Sequence, residues 1–521
     1  MNLAGLKKLR VGFSILYFIL ITCFFLDFTG LIPSSYYKTI VFLQFFPSLL
    51  QFKSLLTISS IGFIIVIIIT FFYGRVYCSF ICPLGVLQDI ISFITKKIRR
   101  LKQYRYTYLK SYRFIRYSFL AVFVFGLFSG FALILSVLDP YSIYGRIASG
   151  VFRKTIVETN NLLVSGLQKI NVYSLYHVDL KPEHWTILAV LLFFIVTIIL
   201  FSVFRGRLYC NTVCPVGAFL GLISKFSVFK IELDKNSCTS CNLCSRVCKA
   251  GCIDTKNQQI DFERCIACYN CMTVCSENSI QYKLRWNKKL AIRTEINKND
   301  NSRRQFFAIT ALIFAASIRK SRAQQVVTDT ATKPTGRDIP VSPPGSVSID
   351  TFNASCTACH LCISACPTHV LQPSYTDYGL IGFMQPVMDY HTGFCNFECT
   401  KCSEICPTGA IKSIKIETKK ITQIGIAHFV RQNCIVRTEK TDCGACAEHC
   451  PTKAVRMVPW KQGLVIPEVT PDICIGCGAC EFACPTTPYK AIYVEGNDEH
   501  KMANEPDKEK QEIKVEDDFP F

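Results

Sequence analysis

Apolar residues gather in the first 210 positions of the chain and thin out after them. Four stretches there, 11–32, 55–73, 115–138 and 185–204, are long enough to cross a bilayer as helices. Beyond them the composition is that of a water-soluble portion. One later apolar run, 306–318, has 13 residues, too short for a standard span and the size of a signal core. Residues 326–350 are rich in Thr, Pro, Gly and Ser and read as a flexible tether. The tail, 496–521, is charged, lacks apolar periodicity and is expected to be disordered. The expected organisation is a four-helix membrane domain (1–225), a small domain (226–290), the short apolar segment with its linker (300–350), a second domain (351–495) and the tail.

Charge orients this arrangement. Lys7, Lys8 and Arg10 precede the first span, and the connection 96–116 holds nine Lys or Arg in 21 residues. The other two connections are much poorer, so both ends of the helical unit and the domain after it are expected to face the cytoplasm. The net charge of +20 sits largely beside apolar spans, where it reads as topology charge. The interleaved Tyr and Phe read as an interfacial belt, and membrane lipid, not nucleic acid, is the expected partner. No Walker or dinucleotide glycine fingerprint occurs, so neither nucleotide nor flavin is expected.

Cysteine changes the picture most, with 30 in 521 residues. Cys238, Cys241, Cys244 and Cys248 share their spacing with Cys265, Cys268, Cys271 and Cys275. This is the bacterial ferredoxin pattern for 4Fe–4S clusters, in which the fourth thiolate of one run serves the other run's cluster. Cys275 would then join Cys238, Cys241 and Cys244, and Cys248 would join Cys265, Cys268 and Cys271. Paired zinc ribbons are the bland alternative, made improbable by two matched four-cysteine runs. Four more groups follow: Cys356, Cys359, Cys362 and Cys366; Cys395, Cys399, Cys402 and Cys406; Cys434, Cys443, Cys446 and Cys450; Cys474, Cys477, Cys480 and Cys484. Each ends in C-x-x-x-C-P, the ferredoxin ending. Six clusters are expected in all, with nested and adjacent ligand exchange both open in the last four groups. Cys356–His360 matches the c-haem motif C-x-x-C-H, but haem there would strand Cys362 and Cys366, so none is expected. His369, His391, His428 and His449 lack metal-pair spacing. Cys23 and Cys252 stay unassigned.

An internal repeat stands apart from these groups. "GRVYCSFICPLG" carries Cys78 and Cys82, and "GRLYCNTVCPVG" carries Cys210 and Cys214. Cysteines four apart on a helical turn share a face. If the copies face each other, the four thiolates suffice for a further metal centre; a redox-active disulfide or a partner-docking surface are the alternatives. No expected span contains histidine, which argues against a b-type haem. Asp139, His177, Asp179, Glu183 and His184 are candidate proton acceptors for a quinol, but as loop residues they are expected to be solvated.

Ser302, Arg303, Arg304, Phe306 and Phe307 match the core of a twin-arginine export signal, with a short amphipathic anchor as the alternative. Export of a folded domain suits clusters that must be built in a reducing cytoplasm. Residues 351–521 are therefore expected to be periplasmic.

Taken together, the chain resembles a fusion of two subunits of the quinol-dehydrogenase system that feeds periplasmic nitrate reductase. Residues 1 to about 290 resemble its membrane subunit, of the Nap H type, in their four spans, the motifs at Cys78/Cys82 and Cys210/Cys214, and a two-cluster ferredoxin. Residues 300–490 resemble its exported ferredoxin subunit, of the Nap G type, in the leader and the gap from Cys434 to Cys443. The fold class expected is an α-helical membrane unit of four transmembrane helices plus α+β bacterial-type ferredoxin domains, one of two clusters and one of four. The resemblance implies a multi-pass protein of the bacterial inner membrane, drawing electrons from the quinone/quinol pool, menaquinol by preference. The acceptor would be a periplasmic reductase or cytochrome. An accessory donor for maturing or reactivating a metalloenzyme is the competing reading.

Overall fold

The computed structural model describes residues 3–27, 29–55, 61–98, 106–178, 185–277, 279–284 and 336–505. The twin-arginine motif, Asp179, Glu183 and His184 lie outside them.

The helical unit opens with α1 (Leu3–Leu26), α2 (Ser34–Val41), α3 (Phe45–Leu55) and α4 (Gly62–Tyr73). Short α5 (Tyr77–Phe80) leads into α6 (Pro83–Ile98), α7 (Arg113–Ser129), α8 (Ala132–Leu138) and α9 (Pro140–Ile147). A π-helical turn (Ala148–Arg153) precedes α10 (Lys154–Gln168), α11 (Trp185–Arg205), α12 (Leu208–Thr212) and α13 (Pro215–Ser224). The four expected spans are not all present as uniform helices among the described residues, and residues 56–60 of the second lie outside them. Among the described residues only two helices, over Gly5–Leu26 and Trp185–Arg205, are long and apolar enough to cross a membrane singly. α4 has 12 residues. The third expected span breaks where Gly130 takes a left-handed φ of +73° as the cap of α7, and α8 starts afresh beyond Phe131. Hydropathy ran straight through that glycine. A Gly cap ends a helix because only Gly enters this region without a Cβ penalty.

The unit is apolar outside and partly polar inside. Leu16, Ile19, Phe71, Phe72, Phe125, Phe128, Leu192 and Phe193 are exposed, whereas Gln44, Arg75, Gln88, Arg116, Arg146 and Arg207 are buried. A lipid surrounding favours this distribution, because apolar surface needs no shielding there and polar groups must find partners within.

Two α+β domains carry the ferredoxin-pattern cysteines. In the smaller, strand Phe229–Leu233 pairs antiparallel with Ile280–Leu284. In the larger, Thr422–Phe429 pairs with Ile492–Met502, Leu371–Pro373 with Pro386–Met388, and Val455–Pro459 with Val465–Val469. The expected disorder after Gly496 is corrected for the described part of the tail, which ends at residue 505; residues 506–521 lie outside the described residues. The chain continues in the sheet, with Lys501 opposite Gln423 and Met502 opposite Thr422, because backbone pairing satisfies a strand whose side chains are charged.

The two domains sit at opposite ends of the long helices. At the start of α1, Lys7 Nζ donates to Thr273 Oγ1 of the smaller domain at 3.3 Å. At its far end, Phe25 packs beside Gly145 and the Cys359 carbonyl of the larger one. α11 repeats the arrangement: Ile187 packs with Ala358 and Met384, and beyond Arg205 the Arg207 amide donates to Lys249 O. From Lys7 to Phe25 the helix rises by about 27 Å, close to the thickness of a bilayer's hydrocarbon core.

His500, in the last strand, lies 2.9 Å from Ser342 Oγ, and burial holds its pKa down at about 4. The unfolded chain takes up a proton near pH 6.5 that the folded domain refuses, so stability is lost as pH falls through that window. Between pH 7 and pH 5 the loss should be about 2 kcal/mol. His500→Gln should remove that part of the acid sensitivity in denaturant titrations. An unchanged pH dependence would show that the ring is accessible to protons.

Candidate electron-transfer centres

The six ferredoxin-pattern groups fold into small loops that close on one another. Four of the C-x-x-C loops share a backbone device: positive φ just before and just after the second cysteine. The pairs are Ser240/Asn242, Ala267/Tyr269, Ala358/His360 and Gly476/Gly478. Left-handed residues turn successive N–H groups towards one side, making a concavity suited to an anionic group. His360, the residue that completed the haem-like motif, is one of these turning positions. It is buried with Nε2 2.9 Å from Met384 O.

Pairing between groups follows from proximity. Cys275 lies in electrostatic reach of Cys244 alongside Cys238 and Cys241, and Cys248 in reach of Cys271 alongside Cys265 and Cys268. In the larger domain the cysteines of adjacent groups approach one another, in the arrangement that adjacent and not nested exchange would need. Cys406 approaches Cys356, Cys359 and Cys362, while Cys366 approaches Cys395 and Cys402. Cys484 approaches Cys434 and Cys446, while Cys450 approaches Cys474, Cys477 and Cys480. The two halves of this domain meet where the Cys395 amide donates to Cys477 O at 2.9 Å. Burial pushes the Cys359, Cys446 and Cys477 thiols up to about 12. Deprotonation must therefore be driven by metal, as thiolate ligation does.

The residues fit iron–sulfur clusters. Among the described residues no group of three or more His, Cys, Asp or Glu is spaced for a single metal ion. A four-iron cube holds its thiolates farther apart than one ion does. Cys252 proves to be packed against this chemistry: its sulfur is 3.6 Å from Cys248 Sγ, buried, at the position that Ala410 holds after Cys406.

Midway between the domains the C-x-x-x-C-P repeat closes on itself. Cys78, Cys82, Cys210 and Cys214 are all buried, and Cys214 lies in electrostatic reach of the other three. The glycines, arginines and prolines of the repeat each have a task. Gly74 and Gly206 turn the chain with positive φ. Arg75 Nη2 donates to Cys210 O at 3.0 Å, and Arg207 Nη1 donates to Cys78 O at 2.6 Å, so each copy's arginine ties the other's first cysteine. Gly85 and Gly217 leave room for those guanidinium groups; a Cβ at either would collide with one. Pro83 and Pro215 begin α6 and α13, the first-turn position where a missing N–H is harmless. Cys214 caps α13, its sulfur accepting from the Gly217 amide at 3.3 Å.

Between this quartet and Cys359 lies a buried polar set. Tyr209 Oη donates to Leu138 O at 3.0 Å, and Asp139 Oδ2 accepts from the amide and hydroxyl of Ser142. Asp139 Oδ1 and Tyr141 Oη are buried without a partner. The expectation that Asp139 is solvated is corrected: as cap of α9 it is held inside the unit, 1% exposed. His177 is exposed, as expected for a loop. The sequence reading missed Arg75, Arg207 and Tyr141, although both arginines stand inside the repeat it singled out.

Comparison with known proteins agrees with this geometry. Residues 355–411 and 441–487 each match the description "4Fe-4S dicluster domain", and 55–102 and 186–234 match "4Fe-4S binding domain". Over 185 residues the chain is 30% identical to an uncharacterised protein of Methanocaldococcus jannaschii, covering 36% of this chain and 55% of that one. It is 26% identical to the ferredoxin-type protein NapF of Escherichia coli K12, over 30% of this chain and 85% of the relative. To the ferredoxin-type protein NapG of the same strain it is 28% identical, over 27% of this chain and 64% of the relative. The chain thus spans about half the length of the first of these relatives. No solved structure matches. The class defined by fold and site is that of iron–sulfur electron-transfer proteins with several 4Fe–4S ferredoxin domains. Within it, similarity to ferredoxin-type proteins of the Nap kind is modest, and a fusion of the Nap H and Nap G types is not established by it.

Proposed function

We propose that this chain is a membrane-spanning electron conduit. It carries electrons from the quinol pool through 4Fe–4S clusters to a periplasmic reductase. One observation carries the reading: the two ferredoxin domains lie at opposite ends of both α1 and α11. The proximities above give the clusters a linear order. The smaller domain's Cys248-containing site faces the helical unit through Lys249, and its Cys275-containing site lies beyond. In the larger domain the site of Cys356, Cys359, Cys362 and Cys406 faces the unit. The site containing Cys366 follows, then the Cys450 and Cys484 sites. The clusters supply reversible one-electron storage; the protein fixes their spacing and excludes water. Quinol as donor rests on the Nap-type resemblance, and buried Asp139, with its free Oδ1, is the proton acceptor we assign to it.

The test is topology. In right-side-out vesicles a protease should cut at a site inserted just after Asp350, while one inserted after Leu284 should stay protected. Cutting of both from one side would put every cluster in one compartment and leave the accessory-donor reading in its place.

A further inference from the structure

We infer that Cys78, Cys82, Cys210 and Cys214 hold a seventh 4Fe–4S cluster, counterbalanced by Arg75 and Arg207. Charge carries the argument first. Arg75 is fully buried and touches Asn211 Oδ1, the carbonyls of Cys210, Glu263 and Arg264, and Cys78 Sγ at 3.7 Å. Among the described residues it has no carboxylate partner. Arg207 does have one, Asp89, but shares it with Arg10 and Lys249. A buried guanidinium without a counter-charge is strongly unfavourable. Four neutral thiols or two disulfides supply none; a cluster ligated by four thiolates is an anion.

The sulfurs are also prepared for that charge. Cys214 accepts an amide hydrogen bond at the start of α13, where the helix dipole favours negative sulfur. Ligand spacing is not an obstacle, because Cys395 and Cys399 show the same four-residue step within one ferredoxin-type group. Each stretch matching "4Fe-4S binding domain" contains just two cysteines, so one cluster needs both copies.

Distance adds a second argument, which rests on the conduit reading. The site lies level with Phe13 and Tyr17 of α1, through the Phe13–Phe80 ring contact and the influence of Cys82 on Tyr17. It divides the rise of about 27 Å from Lys7 to Phe25 into two steps of roughly half that. Tunnelling falls off so steeply with distance that the undivided gap would carry no useful current.

Iron and sulfide analysis of full-length protein in detergent, with Mössbauer spectra, tests this. Cys82→Ala/Cys214→Ala should lose about four irons and four sulfides per chain and keep the ferredoxin-type signals. Unchanged iron, a mapped disulfide, or one non-iron metal in wild-type protein would overturn the inference. Iron loss without loss of quinol-driven reduction of the larger domain would uphold the cluster and overturn its place in the electron path, leaving the conduit itself standing. Should the double variant fail to fold, Arg75→Gln keeps every thiolate. It should lower one midpoint potential and leave the others in place, since a nearby cation favours the reduced, more negative cluster. No shift at any centre would overturn the assignment.

Discussion

Replacing Glu263 by alanine should destabilise the attachment of the smaller ferredoxin domain by about 3–5 kcal/mol, the usual loss when one member of a buried ion pair is removed. Glu263 Oε1 accepts from Arg116 Nη1 at 3.0 Å and from Tyr117 Oη at 2.6 Å. Arg116 is 1% exposed and also donates to Gly217 O, at the end of the cysteine repeat. Alanine would leave that guanidinium stranded in the interior, with no water to take over. The pair as a whole is worth much less than its breakage costs, so Glu263→Ala/Arg116→Met should recover much of the loss. Limited proteolysis between residues 225 and 235, with cluster absorbance followed in parallel, reads both variants. A double variant as unstable as the single would mean that the contact acts by shape and not by charge.

Gly145→Val should uncouple the larger domain. A Cβ at residue 145 would collide with Cys359 O and press on the Phe25 ring. Nothing at this junction can yield except the docking itself, because both groups belong to packed elements. Overpacking of this kind costs about 1–3 kcal/mol, which lowers the docking equilibrium constant by about 5- to 150-fold. Stopped-flow reduction by a menaquinol analogue should then show the larger domain's clusters filling several-fold more slowly, with iron content unchanged. Normal transfer would show that electrons leave the helical unit elsewhere than at Cys359.

Much of this site was legible in the chain itself. Cysteine spacing gave the ferredoxin groups because cluster ligation is a local pattern, repeated every few residues. Partner exchange in the last four groups was not legible, since Cys366 and Cys395 are joined by folding and not by spacing. The four spans were read from hydropathy, which registers length and apolarity but not the left-handed turn at Gly130. Asp139 looked like a loop residue because its role as a buried helix cap depends on where α8 stops. Arg75 and Arg207 were in plain view within the repeat. Only the fold shows that each crosses to the other copy.

That crossing has a consequence for how such a molecule is put together. Arg75 reaches Cys210 O and Arg207 reaches Cys78 O, so corresponding residues of the two copies exchange equivalent contacts. This is the rule of an isologous, two-fold interface, here enclosed within a single polypeptide. Neither copy owns a complete site, and neither can satisfy its own arginine. Cut between α10 and α11, the helical unit should behave as an obligate pair of fragments, each folding only at concentrations where it finds the other. Two identical chains carrying one copy apiece would meet the same geometric demand.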